Sequence, residues 1–255
     1  MKILVATSDN YSHLIEPYFT LFNRYWPDQE IVFLGFSDSN LPPLPDNCTF
    51  HSLGNQSDFG SLWTDPLIPF IDSLEDEYFV FTVEDVMLMY EVDVKKVALL
   101  EKEVESGRAS KAMLDSCLPD SMEPYKEGLL QLSQGAMYRA SLHPAIWRKD
   151  YFKKFLNAGY SAWDFEMKNM ASSQNDGAII VGLDTSEDLY YTTNVYRKGI
   201  PIPRPDCPRP HGTSAEKVDM TVINYISKFI GMTDAPFNLH INKLLDEEEE
   251  KNKDD

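Results

Sequence analysis

An α/β fold, with a mostly parallel central sheet flanked by helices, is what this 255-residue sequence predicts. Apolar runs of strand length alternate with helix-period segments from the first residues onward, the order of βαβ units. One run, Tyr78-Phe79-Val80-Phe81-Thr82-Val83, is apolar without alternation, as a strand buried on both faces must be. It ends abruptly in two acids, Glu84-Asp85. Open α/β sheets bind ligands beyond the carboxyl ends of their strands, which makes these acids the first candidates for a site.

Lys2 to Thr7 reads as the first strand, and Ser8-Asp9-Asn10-Tyr11-Ser12 as the polar loop after it. His13 to Trp26 places Leu14, Phe19, Leu21, Phe22 and Trp26 at roughly helical spacing, closed by Pro27. Pro17 falls in the first turn, where proline is tolerated. Glu30 to Phe36 is a second strand, and a proline-rich loop leads to a short third one at Thr49 to Ser52. Ser57 to Leu74 is a helix with Trp63, Leu67, Phe70, Ile71 and Leu74 on one face, running into the acid-tipped strand. Asp93 caps a helix from Val94 to Glu105.

In the second half, Gly135 to Leu142 reads as a strand and Pro144 to Leu156 as a helix stopped at Gly159. A short helix runs from Ser161 to Ala171, followed by strands at Ala178 to Leu183 and Leu189 to Val195. Asn194 to Pro210 carries five prolines and reads as loop, and Val218 to Ile230 as a last helix. Neither an internal repeat nor a linker is visible. The expectation is one domain over residues 1–245, with halves near 1–105 and 106–245, and an acidic disordered tail at 246–255.

A hydrophobic content of 43% is that of a globular chain, and no run approaches the roughly 18 apolar residues of a membrane span. Residues 1–7 are too short an apolar stretch for a signal peptide, which points to a cytoplasmic protein. The three cysteines are widely spaced and odd in number, neither a disulfide framework nor a zinc pattern. Acids outnumber bases 41 to 23, a formal charge of −18. The terminal ten residues account for −5 of it, leaving −13 on the rest, a field that disfavours nucleic acid and anionic membrane.

Glycine-rich dinucleotide and P-loop signatures are both missing, and the five histidines with no serine elbow give a hydrolase triad little support. Acids at loop-facing ends remain: Asp9 after the first strand, Glu84 and Asp85 after the acid-tipped one, and Asp164 and Glu166 at the start of a helix. Acids in a first helical turn also have a plain structural role, complementing the helix dipole. Trp163 and Phe165, flanking Asp164, point to a partly dry pocket that would suit a general base.

Four segments together resemble GT-A glycosyltransferases. They are the strand–loop–helix at Lys2 to Trp26, the helix containing Trp63 that runs into Glu84-Asp85, Ser141-Leu142-His143-Pro144-Ala145-Ile146-Trp147, and Trp163-Asp164-Phe165-Glu166. The last two are similar to the Ser-Leu-x-Pro-Ala-Ile-Trp and Trp-x-Phe-Glu blocks of small bacterial and viral members, and order and spacing match over residues 1–200. Glu84-Asp85-Val86 departs from the family's acidic metal motif, lacking its first aspartate and its aromatic residue, and Tyr160 stands where relatives carry an acid.

The resemblance implies a GT-A-like fold, a nucleotide-sugar donor and a saccharide or other hydroxyl acceptor. It implies that Thr7, Ser8, Asp9 and Tyr11, with Glu84 and Asp85, meet the donor. A divalent metal, manganese or magnesium, would be held by Asp85 and Glu84 with His211 as a third ligand. Glu166, ahead of Asp164, would take the proton of the attacking hydroxyl, in an inverting transfer. His143 lines the acceptor side or is an ordinary loop residue. Two alternatives fit the same residues. One glycosylates hydroxymethylated bases in DNA, using a local positive face of Lys95, Lys96, Arg139, Arg148, Lys149, Lys153 and Lys154. The other is an inactive homologue that binds a nucleotide sugar or a protein.

Overall fold

The computed structural model describes residues 1–38, 41–89, 91–114, 122–126, 128–183, 192–194, 196–197, 200–201 and 225. In chain order the first half supplies β1 (Lys2–Ala6), a 3-10 turn (Asp9–Leu14), α1 (Ile15–Tyr25), β2 (Glu30–Gly35), β3 (Cys48–Ser52), α2 (Gln56–Phe59) and α3 (Thr64–Ser73). β4 (Tyr78–Val83), β5 (Val86–Leu88) and α4 (Val94–Glu105) complete it. The second half supplies β6 (Lys111–Met113), β7 (Met122–Pro124), β8 (Leu130–Leu132), β9 (Ala145–Arg148), α5 (Lys149–Lys153), α6 (Ala162–Lys168), α7 (Met170–Ser173), β10 (Ile180–Gly182) and β11 (Thr192–Asn194).

Nine strands form one sheet in the order β3-β2-β1-β4-β9-β6-β10-β8-β7. β1 to β4 are mutually parallel, β9 runs antiparallel between β4 and β6, and β10 is parallel to β6. The sheet is therefore mixed and mostly parallel, as the sequence predicts. Alternation along β1 divides the core. Ile3 and Val5 pack with Tyr18, Leu21 and Phe22 of α1 and Val97, Leu100 and Val104 of α4. Leu4 and Ala6 face the other layer, with Leu67 and Ile71 of α3, Phe152 of α5 and Phe165 of α6.

The helix read over Ser161 to Ala171 breaks at Asn169 into α6 and α7, and three elements depart further from the sequence reading. Pro144 to Leu156 is not one helix: Ala145–Arg148 is the central strand β9, and the helix is only Lys149–Lys153. Ala145, Ile146 and Trp147 are buried on both sheet faces, and a short apolar run of that kind has no period to separate strand from helix. Gly135 to Leu142 is turn rather than strand, with Tyr138 at φ 57° and the Arg139 side chain drawn into the interior. The helix read over Ser57 to Leu74 breaks into α2 and α3 at Gly60, whose φ of 59° suits glycine. β5 to β8 are three-residue strands without a sequence signal, and β11 pairs with β5 outside the main sheet. The strand read over Leu189 to Val195 is described only at β11, and the helix over Val218 to Ile230 only at Tyr225, which is helical. The acidic tail lies outside the described residues.

One buried carboxylate fastens α4 to the β7–β8 hairpin. Glu103 is 2% exposed and accepts from Arg108 Nε at 2.9 Å and Nη2 at 2.7 Å, with Lys126 Nζ at 3.2 Å. The Arg108 hydrogen bonds, aided by Lys126 and opposed by burial, hold its carboxyl down to about 2 against an ordinary 4.5. A depressed folded-state value means this stabilisation is whole above about 4.5 and is lost as pH falls toward 2. Both basic partners are partly exposed and screened by solvent, so Glu103→Gln is expected to cost about 1–2 kcal/mol at pH 6. Urea melts at pH 6 and pH 2.5 check this: the gap between the variant and wild type should narrow at the lower pH.

Candidate functional site

The chain leaves β1 toward β2 on one side and meets β4 on the other, so the carboxyl ends of β1 and β4 flank a topological switch point. Thr7, Ser8, Asp9 and Tyr11 follow β1 at this edge, and Glu84-Asp85 follow β4. The Glu84 amide donates to Ala6 O at 3.2 Å, seating the acid turn beside the Ala6–Thr7 peptide, while the Thr7 amide donates to Leu34 O at 2.9 Å. Gly35 keeps this corner tight, since a Cβ there would come within 2.8 Å of the Thr7 methyl and 2.7 Å of the Phe50 ring. Asp9 joins three loops: its amide donates to Gln56 Oε1 at 2.8 Å, and its Oδ1 accepts from the Ser37 amide at 2.9 Å. Gln56, at the start of α2, has no sequence signal that separates it from other exposed polar residues.

Glu84 is buried at 7% exposure, and burial followed by repulsion from Asp85 raises its carboxyl well above the usual range. Burial likewise pushes Asp85 up to about 6, against the pull of His143. Adjacent carboxylates held in this way are oxygen donors that a hard divalent ion would relieve, so the donor chemistry fits such an ion. Among the described residues no group of three or more His, Cys, Asp or Glu forms a metal-binding cluster. His211 lies outside the described residues.

The other carboxylates sit on α6. Phe165, fully buried, packs 5.5 Å from the rings of both Phe152 and Trp63 and fixes this short helix against the sheet. The loop before α6 is tied to α3 by the Trp63 and Thr64 amides, which donate to Tyr160 O at 2.8 and 3.1 Å. Glu166 is half-buried, and its Oε1 accepts from the Leu142 amide at 2.7 Å. Asp164 is engaged differently. With Ser161 it forms a capping box at the helix start, and its Oδ1 meets Lys168 Nζ at 2.9 Å. Lys168 first, then Ser161, hold its carboxyl below the usual range.

The dry pocket expected from Trp163 and Phe165 does not form. Trp163 is 63% exposed while Phe165 is in the core, because residues two apart on a helix point to different sides. The Leu142 amide holds Glu166, and the next residue, His143, opposes the upward shift of the Asp85 carboxyl.

That segment depends on Arg139, whose side chain is wholly buried. Arg139 donates to Ser173 O at 2.7 Å, Ser133 O at 2.9 Å, Ala178 O at 2.7 Å and Asp176 Oδ1 at 3.2 Å. Of the positive face read from the sequence, Arg139 is internal, Lys95 is exposed, Arg148 pairs with Asp150, Lys153 with Asp72, Lys154 with Asp176 and Lys96 with Asp93, and Lys149 donates to Leu74 O.

No protein-family model and no curated relative matches the sequence. Solved structures do match the fold. S. aureus TarS 1–349 in complex with UDP-GlcNAc superposes with a TM-score of 0.50 at 14% identity, over 96% of this chain and 71% of that one. The galactosyltransferase LgtC in complex with donor and acceptor sugar analogues matches at 13% identity and a TM-score of 0.42, over 91% of this chain and 95% of that one. The chain spans 59% of an active-site mutant of LgtC and 35% of a longer TarS structure. At such identities the likeness is one of fold alone, a GT-A-like α/β architecture.

Proposed function

We propose that this protein is a glycosyltransferase that moves a sugar from a nucleotide-sugar donor to an acceptor hydroxyl with inversion. The observation that carries the reading is the acid turn Glu84-Asp85 seated beside the Ala6–Thr7 peptide at the sheet's switch point, with a further carboxylate, Glu166 on α6, held by the Leu142 amide. Donors of this kind need negative charge met at the diphosphate, and hydroxyl acceptors need a carboxylate to take their proton.

In this reading Thr7, Ser8, Asp9 and Tyr11 receive the nucleotide at the end of β1, where Asp9 already links the loops after β1 and β2. Glu84 and Asp85 would hold a divalent ion, which when bound supplies neutralising charge to the diphosphate. Glu166 accepts the acceptor hydroxyl's proton as that oxygen bonds to the anomeric carbon. The bond from that carbon to the diphosphate oxygen breaks, and its electron pair leaves with the nucleoside diphosphate. Displacement by one carboxylate-assisted attack inverts the anomeric centre. Asp164, occupied by the capping box and Lys168, serves the helix and is second choice for the base.

A neutral acceptor, such as a saccharide, suits the charge of −18 and the pairing of Arg148, Lys153 and Lys154 with acids. Both observations weigh against a DNA duplex.

Thermal denaturation with a panel of nucleotide sugars, UDP-GlcNAc first, with and without manganese, tests donor binding. A donor at a hundredfold excess over its Kd stabilises the native state by about 2.7 kcal/mol. Asp85→Asn is expected to lose the manganese-dependent part of that stabilisation while its own melting temperature stays close to wild type. Equal stabilisation of variant and wild type by donor with manganese removes Asp85 from the role. No response to any donor, with no transfer or slow donor hydrolysis, favours an inactive partner-binding homologue.

A further inference from the structure

The interior of the second half contains a lysine that the proposed reaction has not used. Lys111, in β6, is 1% exposed, and its cross-strand neighbour in β9 is Trp147. Its Nζ lies 4.1 Å from the centre of the Trp147 ring, 3.0 Å from Ser141 O, 3.2 Å from Arg139 O and 3.4 Å from Ser141 Oγ. Two carbonyl oxygens and an aromatic face are the surroundings of an ammonium ion, since each presents negative potential to it.

Ser141 O and the Leu142 N–H belong to one peptide group. Its oxygen accepts from the Lys111 ammonium, and its N–H donates to Glu166 Oε1 at 2.7 Å. Positive charge at the oxygen draws electron density away from the nitrogen and makes the N–H a stronger donor, and hydrogen bonds in such a chain reinforce one another in a low dielectric. We propose that Lys111 is a positioning residue for Glu166, acting through the Ser141–Leu142 peptide: it fixes and polarises the amide that orients the carboxylate, leaving the other carboxylate oxygen to the acceptor hydroxyl. This rests on the reading of Glu166 as the base, and extends it to a buried charge that does not touch substrate.

The test uses the full chain and two variants. Lys111→Met strips three oxygens of a donor and risks unfolding. Lys111→Gln keeps an amide donor for the carbonyls while removing the charge, and is the informative one. In 15N-labelled protein the Leu142 amide, identified as a resonance displaced by Glu166→Gln, is expected to move upfield in Lys111→Gln and to exchange faster with solvent. Turnover should fall about tenfold with the donor KM unchanged, the pattern of a lost transition-state interaction. The double variant with Glu166→Gln should be no slower than Glu166→Gln alone. An unmoved Leu142 resonance in a folded Lys111→Gln protein overturns the proposal. So does unfolding of Lys111→Gln, which would assign Lys111 to the core alone. Should the wild type transfer no sugar, the transferase reading fails, while the Leu142 resonance still decides whether Lys111 acts through this peptide.

Discussion

Glu166→Gln is expected to lower turnover by about a hundredfold or more, with donor affinity unchanged, because the amide can keep the Leu142 hydrogen bond but cannot take a proton. The substitution is nearly isosteric, and Phe165, not Glu166, anchors α6 in the core. A folding defect is therefore not expected, and matching melting curves would confirm that the loss is chemical. Asp164→Asn is the comparison two residues away. Its carboxylate holds Ser161 and Lys168, so weaker capping with turnover near wild type is the expected result. A loss confined to Asp164→Asn would move the base to that residue. Normal turnover in both variants and in the double variant would end the case for a base on α6.

The largest expected effect on stability is that of Arg139→Met. The guanidinium is wholly buried and reaches three separate stretches of chain, at 132–133, at 173 and at 176–178. Methionine would leave four carbonyl oxygens short of a donor and one partner of buried Asp176 missing. Breaking a buried pair from one side costs about 3–5 kcal/mol. For a chain of this size that is on the order of 10 °C in melting temperature. Calorimetry of the two proteins would decide it, and a drop of a degree or two would mean that water replaces the guanidinium.

The first half of the fold was readable because its signals are local. β1, α1, β2 and β4 follow from apolar runs and periodicity, and Asp93 caps α4 as its position implies, accepting from the Lys95 and Lys96 amides. The acid turn was readable for the same reason, as two charges ending an apolar strand. The second half was harder because its signals are not local. Ala145-Ile146-Trp147 becomes a strand only because β4 and β6 lie on either side of it. Lys111 and Arg139 look like surface cations in sequence, and nothing nearby announces that the carbonyls of Ser141, 30 residues on, and Ala178, 39 residues on, will receive them. The spacing between Leu142 and Glu166 is likewise invisible until the turn at 133–142 meets α6.

The antiparallel insertion of β9 has a consequence for how the chain comes to be folded as it is made. When the first 105 residues have emerged from a ribosome, β4 has β1 on one side and an open edge on the other, because the strand that fills it is residues 145–148. That edge carries Phe79 and Phe81, both fully buried in the finished protein. An apolar strand with unpaired backbone groups is a template for the wrong partner. A nascent chain halted between residues 105 and 145 should therefore be more prone to self-association than either the first few strands or the complete protein. The strand that closes the open edge of β4 is the one that arrives late.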